Sequence, residues 1–213
     1  MPISKDNTQF HAAYQDIKQK ILSGFFSSDA RLREMEISKL IGMGRTPVRE
    51  ALKRLEDERL LTHEPRRGLV ITRIDKQGVT ELYAMREVLE GAAAEFAARH
   101  ATDAEIDNMQ SILEQSEQPD SDPVRMNLQF HEAIYGAAHN QHLIRTLQSI
   151  SDTTFLLGRS TLQSPQRAQK AVAEHQQILA AIRDRDPEAA SIAAKNHIRQ
   201  AFLERLKMLR DAD

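Results

Sequence analysis

The sequence predicts a mainly α protein, with an N-terminal winged helix-turn-helix followed by an all-α antiparallel helical bundle. Three observations carry that expectation. Apolar residues recur at steps of three and four along almost the whole chain, the spacing of one helix face. Strand character is confined to two short runs near residues 60–72, separated by a turn containing Pro and Gly. Beyond them, helix-start signals return at intervals, with no further strand and no repeat.

A first helix is expected over residues 8–23, where Phe10, Ala13, Tyr14, Ile17 and Ile21 keep the helical step and Gly24 ends it. Arg31-Leu32-Arg33 leads into a short helix over 34–41, with Ile37, Leu40 and Ile41 as its apolar positions. Gly42-Met43-Gly44 makes a turn, and a third helix follows over 45–58 on a stripe of Val48, Leu52 and Leu55. Pro47 is tolerated because first-turn N–H groups have no intrahelical partner. Leu60–His63 and Leu69–Thr72 read as strands, joined by the hairpin tip Glu64-Pro65-Arg66-Arg67-Gly68. Six helices are expected after that, over about 75–101, 103–117, 123–138, 141–160, 165–185 and 187–210. Asp122-Pro123, Ser164-Pro165 and Asp186-Pro187 each place a capping residue before a proline suited to the first helical position. Short connections favour antiparallel neighbours, so the domains expected are 1–74 and 75–213.

The composition narrows the function classes. At 213 residues, 40% hydrophobic and 28% charged, the chain can bury a real core and suits a soluble protein. No apolar run reaches the length of a membrane span, and the N-terminus lacks an apolar signal-peptide core. Zero cysteines exclude disulfides and thiolate metal sites and accord with a cytoplasmic setting. Residues 1–73 hold 14 Lys/Arg against 10 Asp/Glu, and the remainder 15 against 21. A basic head joined to an acidic body suggests that only the head touches phosphate, on the nucleoid.

Within the head, Arg45 and Arg49 lie four apart on the face opposite the apolar stripe. A helix of this kind after a tight turn can enter a major groove, where arginine hydrogen-bonds guanine O6 and N7. Thr46 suits a phosphate or a thymine methyl, and Lys53 a phosphate. Arg66 and Arg67 on the hairpin tip suit phosphate or minor-groove contact; plain solvation is the alternative for both. An amphipathic helix with a basic solvated face is the alternative for the whole stretch. Gly42-Met43-Gly44-Arg45-Thr46-Pro47-Val48-Arg49-Glu50-Ala51-Leu52 resembles the signature of GntR-family transcription regulators. Leu32-Arg33-Glu34, Leu60-Leu61 and Arg67-Gly68 fall where that family's winged helix has similar residues, and the likeness covers about residues 10–73. It implies that Arg45, Thr46, Arg49, Lys53, Arg66, Arg67 and Gly68 form the DNA-contacting set. Gly44 replaces the usual serine, and Met35 stands where many members carry arginine.

In the body, three histidines lie at apolar helical positions: His131 with Asn127 one turn back, His175 among Val172, Ile178, Leu179 and Ile182, and His197 beside Ala194, Ala201 and Phe202. One such residue is usually a hydrogen-bonded core histidine. Three on different helices of one bundle, with an oxygen donor near, suit a divalent transition metal such as Zn²⁺ or Ni²⁺. The region is similar to the FCD ligand-binding domain of FadR-type GntR regulators, on Phe130-His131-Glu132-Ala133-Ile134, Ala138-His139-Asn140, Glu174-His175 and Asn196-His197-Ile198. Its six helices resemble the VanR-like subgroup. That resemblance implies metal ligands His131, His175 and His197, with Asn127 at a position where metal-binding members carry aspartate. It also implies a small carboxylate effector paired with Arg86 of an Arg-x-x-Leu-Glu pattern; a salt bridge from Arg86 to Glu90 is the alternative.

The expected function is a ligand-responsive transcription regulator, most often a repressor in this family, gripping a palindromic operator as a homodimer. It is not expected to be an enzyme. A metal-dependent hydrolase built on the histidines would leave the winged helix unexplained, and no His-Glu-x-x-His pair exists. An architectural DNA-binding dimer without effector is the other alternative.

Overall fold

The structure, a computed structural model, describes residues 5–27 and 29–211; residues 1–4, part of the stretch read for a signal-peptide core, lie outside the described residues. In order come α1 (Lys5–Leu22), α2 (Glu34–Ile41), α3 (Arg45–Asp57), β1 (Leu61–Glu64), β2 (Gly68–Ile71), α4 (Lys76–His100), α5 (Asp103–Ser116), α6 (Pro123–Ala137), α7 (Gln141–Phe155), a 3-10 turn (Thr161–Gln163), α8 (Pro165–Arg183) and α9 (Pro187–Asp211). The chain divides into two compact units. One holds the described residues up to Ile74 together with Ser151–Gly158, the other Asp75–Ile150 together with the described residues from Arg159 onward. The units part after Ile74, and the end of α7 from Ser151 groups with the first, a placement that apolar spacing along one helix does not encode.

In the first unit, Val48, Ala51, Leu52 and Leu55 of α3 are 0–3% exposed and pack with Ala13, Ile17 and Ile21 of α1. Each large side chain buried this way contributes about 1.5–3 kcal/mol. Gly42 closes α2 at φ 66, the left-handed conformation that glycine adopts without Cβ strain, and redirects the chain into α3. Gly44, the N-cap of α3, offers no side-chain cap hydrogen bond. β1 and β2 pair antiparallel with Leu61 opposite Ile71 and Glu64 opposite Gly68. Both strands begin one residue away from the spans expected. Leu60 instead donates to the Leu55 carbonyl and accepts from the Thr72 N–H, so it closes α3 as well as entering the hairpin. An isolated bridge from Arg31 to Val70 adds a third edge.

In the second unit, the caps read from the sequence are made. Asp75 accepts from the Gly78 N–H at 2.7 Å, Thr102 and Glu105 form a reciprocal capping box, and Asp122 accepts from Val124 and Arg125. The helix expected to run to residue 160 stops at Phe155. The N–H groups of Leu156, Leu157 and Gly158 bond back only three residues, and Gly158 turns left-handed at φ 75. The longest helices, α4 and α9, lie against one another; a Cβ at Gly91 would stand 2.6 Å from Lys195 Cε and 3.1 Å from Ser191 Oγ. The core between helices centres on Phe130, Met109, Leu147, Ile178 and Ile182, all at or below 1% exposed. Among the described residues no helix is long and apolar enough to cross a membrane.

Candidate nucleic-acid interface and metal centre

The apolar stripe of α3 fixes which side chains face water. With Val48, Leu52 and Leu55 buried, Arg45, Thr46, Arg49 and Lys53 all fall on the exposed side. Among the described residues none of these four has an ion pair or side-chain hydrogen bond, whereas Arg54 is engaged by Glu58 at 2.7 Å. An unpaired arginine on an exposed helix face keeps its donors available for phosphate or base edges. Met35, 58% exposed on α2, brings an apolar side chain to the helix that precedes the turn.

The hairpin tip separates two neighbours. Arg67 donates to Glu64 at 2.8 Å and to the Asp29 carbonyl at 3.0 Å, so its guanidinium ties the tip to the loop before α2. Arg66, left-handed at φ 67, is exposed and has no such partner among the described residues. Gly68 adopts φ 81, and a Cβ there would come within 3.2 Å of Arg31 Nε. Gly68 therefore shapes the turn and lets Arg31 lie against it. Arg31 was not among the residues singled out for contact; the basic Arg31-Leu32-Arg33 run was its only signal in the sequence.

The three bundle histidines converge. His131, His175 and His197 are 3–5% exposed, and one ligand atom of each lies within 4.8 Å of the others. His131 Nδ1 stands 2.7 Å from Glu90 Oε2, and His197 Nδ1 stands 2.7 Å from Glu174 Oε2. Burial pushes the Glu90 carboxyl up. The His131 ring with its hydrogen bond, the Arg86 charge and a Tyr135 hydrogen bond outweigh that and hold it well below the usual carboxylate range. Glu174 is raised by burial, and Arg167, 2.8 Å away, opposes the rise by favouring its charged form. A carboxylate oxygen accepts, so each Nδ1 donates to its carboxylate, and in a neutral ring that leaves Nε2 as the lone-pair atom a metal would take.

The three Nε2 atoms face one another. His131 Nε2 is 3.2 Å from His197 Nε2, which is 3.4 Å from His175 Nε2. Burial first, then the neighbouring imidazoles, hold His175 and His197 well below the ordinary histidine value of 6.5, in the neutral form a metal requires. A tetrahedral zinc with Zn–N bonds of about 2.0–2.1 Å sets its nitrogens about 3.3 Å apart. The donor set and its spacing therefore fit a divalent transition metal, and the carboxylate behind each of two rings is the usual support for such ligands. Phe130 stacks on His175 at 4.5 Å and fixes that ring.

The other residues read for this site are placed less directly. Asn127 is half-buried on the wall of a 490 Å³ cavity that His175 also lines, and its amide makes no hydrogen bond among the described residues. Arg86 donates to Glu90 Oε1 at 3.1 Å and lies 5.2 Å from the Tyr83 ring, which is the salt-bridge alternative. Glu132, next to His131 in the sequence, is exposed. No local spacing in the sequence marks Glu90 and Glu174 as supports of these rings. Glu174 adjoins His175 in sequence yet serves His197 on another helix, because neighbours on a helix point about 100° apart.

Comparison with known proteins agrees with this architecture. Residues 10–71 match the family of bacterial regulatory proteins called gntR, and residues 81–200 match the FCD domain. The Uxu operon transcriptional regulator of Escherichia coli (strain K12) is 31% identical over 234 aligned positions, covering 94% of this chain and 90% of that protein. The HTH-type transcriptional regulator YdhC of Bacillus subtilis (strain 168) is 29% identical over 94% of this chain and 90% of its own. Among solved structures, E. coli McbR/YncC superposes with a TM-score of 0.81 at 21% identity, covering 98% of this chain and all of that one, a likeness of fold. A winged helix with an exposed basic recognition face, joined to an FCD domain, thus places the chain in the GntR family: it is a DNA-binding transcriptional regulator and not an enzyme.

Proposed function

We propose that this regulator is a cytoplasmic, nucleoid-bound repressor that binds a palindromic operator as a homodimer and responds to a small carboxylate held at a metal in its bundle. The observation that carries the metal reading is the meeting of His131 Nε2 and His197 Nε2 at 3.2 Å, each ring fixed by a carboxylate at its other nitrogen. Two nitrogens at that distance in a buried site need a proton or a metal cation between them, and three such nitrogens converging suit a metal. His131, His175 and His197 are the ligands, with Asn127 as a neutral oxygen donor. Zn²⁺ or Ni²⁺ suits three imidazoles and an amide oxygen. A metal held by these residues would supply a Lewis acid to which a small carboxylate could bind.

The chain's own residues do the rest. Glu90 and Glu174 orient two of the rings, and Arg86 stabilises the Glu90 charge and stands one link behind His131. Arg45 and Arg49 read bases, Thr46 and Lys53 hold the backbone, and Arg66 takes a phosphate from the hairpin tip. Gly68 and Arg67 shape that tip. Met85 and Val88 on α4 and Ile192 on α9, 47–58% exposed, offer apolar side chains to a second copy. Protein two-fold symmetry then matches operator two-fold symmetry. An effector shifts operator affinity only as far as it binds one arrangement of the dimer better than the other.

Metal analysis of protein purified without added metal tests the site, and operator titrations with and without small carboxylates test the response. Stoichiometric zinc or nickel and weakened operator binding with one carboxylate are expected. Protein without metal that binds no carboxylate would favour the architectural alternative.

A further inference from the structure

We infer that a second cleft in the bundle, between the first turns of α4, the first half of α8 and the second half of α9, binds a small organic anion through Arg167. The cleft has a volume of about 520 Å³, within the range of small-molecule sites. Arg167 lines it while only 6% exposed. Its Nη2 donates to Glu174 at 2.8 Å, but its Nε and Nη1 are buried without a hydrogen-bond partner among the described residues. A buried guanidinium with two unmet donors carries a desolvation cost that native interiors rarely tolerate. An oxyanion reaching those donors removes it.

The surroundings name the ligand's chemistry. Lys170, Lys207 and Arg210 also line the cleft; Lys207 pairs with Glu204 at 3.1 Å, whereas Lys170 and Arg210 have no ion pair among the described residues. Leu203, Leu206 and Leu209 of α9 form an apolar wall. Positive charge deep and at the rim beside an aliphatic wall suits a carboxylate or phosphate on a short carbon body. This site is separate from the cavity that Asn127 and His175 line, and its occupancy requires no metal. It shares one carboxylate with the histidine cluster, because Glu174 also accepts from His197.

The test uses the full chain stripped of metal by chelator, so that failure of the metal reading leaves it intact. Succinate and inorganic phosphate are titrated separately by calorimetry, and a crystal soaked in the tighter binder is examined for density at Arg167. Saturable binding of either probe, with density on Nε and Nη1, is expected; succinate alone would identify a carboxylate site and phosphate alone a phosphate site. Arg167→Met should weaken binding at least tenfold. Lys170→Glu with Arg210→Glu, which leaves the core untouched, should weaken it about threefold and guards against a misfolded Arg167 variant. No saturable binding of either probe, undiminished binding in the rim variant, or density elsewhere would overturn the proposal.

Discussion

His131 and His197 meet through their Nε2 atoms at 3.2 Å while each gives its Nδ1 hydrogen to a carboxylate on another helix, Glu90 on α4 and Glu174 on α8. The carboxylates set the tautomers, and the tautomers set what the pair can bind. Glu90→Gln and Glu174→Gln keep an acceptor for each ring but remove its charge. Each should lower metal affinity about 10–100-fold, read by competition with a coloured chelator. His131→Ala, His175→Ala and His197→Ala together should abolish metal retention; full metal content in that triple variant removes these residues from the site.

Asn127 offers a neutral oxygen from the wall beside His175. Asn127→Asp adds a negative charge to that wall without changing its size. Metal affinity should rise by about tenfold, since ion binding strengthens with ligand charge. Unchanged or weaker binding in the same titration would count against Asn127 as a ligand.

How far the sequence spoke for itself depends on whether the signal was local. The fold was legible because stripes such as Val48, Leu52 and Leu55, and caps such as Thr102 with Glu105, act within a few residues. The stop at Phe155 was not. Gly158 was its only mark, and apolar residues continue through Leu156 and Leu157. The three histidines were found because each sits on an apolar stripe of its own helix. Their supports were harder: Glu90 reaches His131 across 41 residues and Glu174 reaches His197 across 23, and no spacing rule encodes contacts between helices. Arg67 beside Arg66 shows the same limit, since its engagement with the Asp29 carbonyl depends on the folded hairpin.

The depressed histidines give the metal-free protein a particular acid response. His175 and His197 resist protonation when folded, while in the unfolded chain they titrate near 6.5. Below that value the unfolded state binds protons that the folded state does not, so their contribution is present above 6.5 and is lost as pH falls. The melting temperature of chelator-treated protein should therefore drop between about pH 6.5 and pH 5. The double variant His175→Gln, His197→Gln should show a flatter profile over that interval. A wild-type melting temperature constant across it would show that these rings do not stay neutral in the fold.

On the hairpin tip, the two arginines should part company. Arg66 is exposed without a partner among the described residues, so Arg66→Ala should weaken binding to all DNA sequences alike and reduce the salt slope by about one. Arg67 is tied to Glu64 and Asp29, so Arg67→Ala should loosen the tip and lower thermal stability slightly. Titrations at several salt concentrations, with melts of both variants, separate the two effects. Equal salt slopes for wild type and Arg66→Ala would remove Arg66 from the interface.

The recognition helix bears the strongest expectation. Arg45 and Arg49 stand exposed and unpaired among the described residues, on the face opposite Val48, Leu52 and Leu55. With apolar Met35 on α2, that helix offers no basic side chain at this position, so the two arginines of α3 are expected to bear more of the base reading. Arg45→Ala or Arg49→Ala should cost about 1–3 kcal/mol of specific binding, some 5- to 150-fold, and far less on random DNA. The operator comes from selection of bound fragments, and each variant is then titrated against it and against a scrambled duplex. A base-reading arginine lost from the helix changes the ratio of the two affinities, whereas a phosphate-holding one changes both equally. An unchanged ratio would assign Arg45 and Arg49 to the backbone and leave sequence reading to other residues of the winged helix.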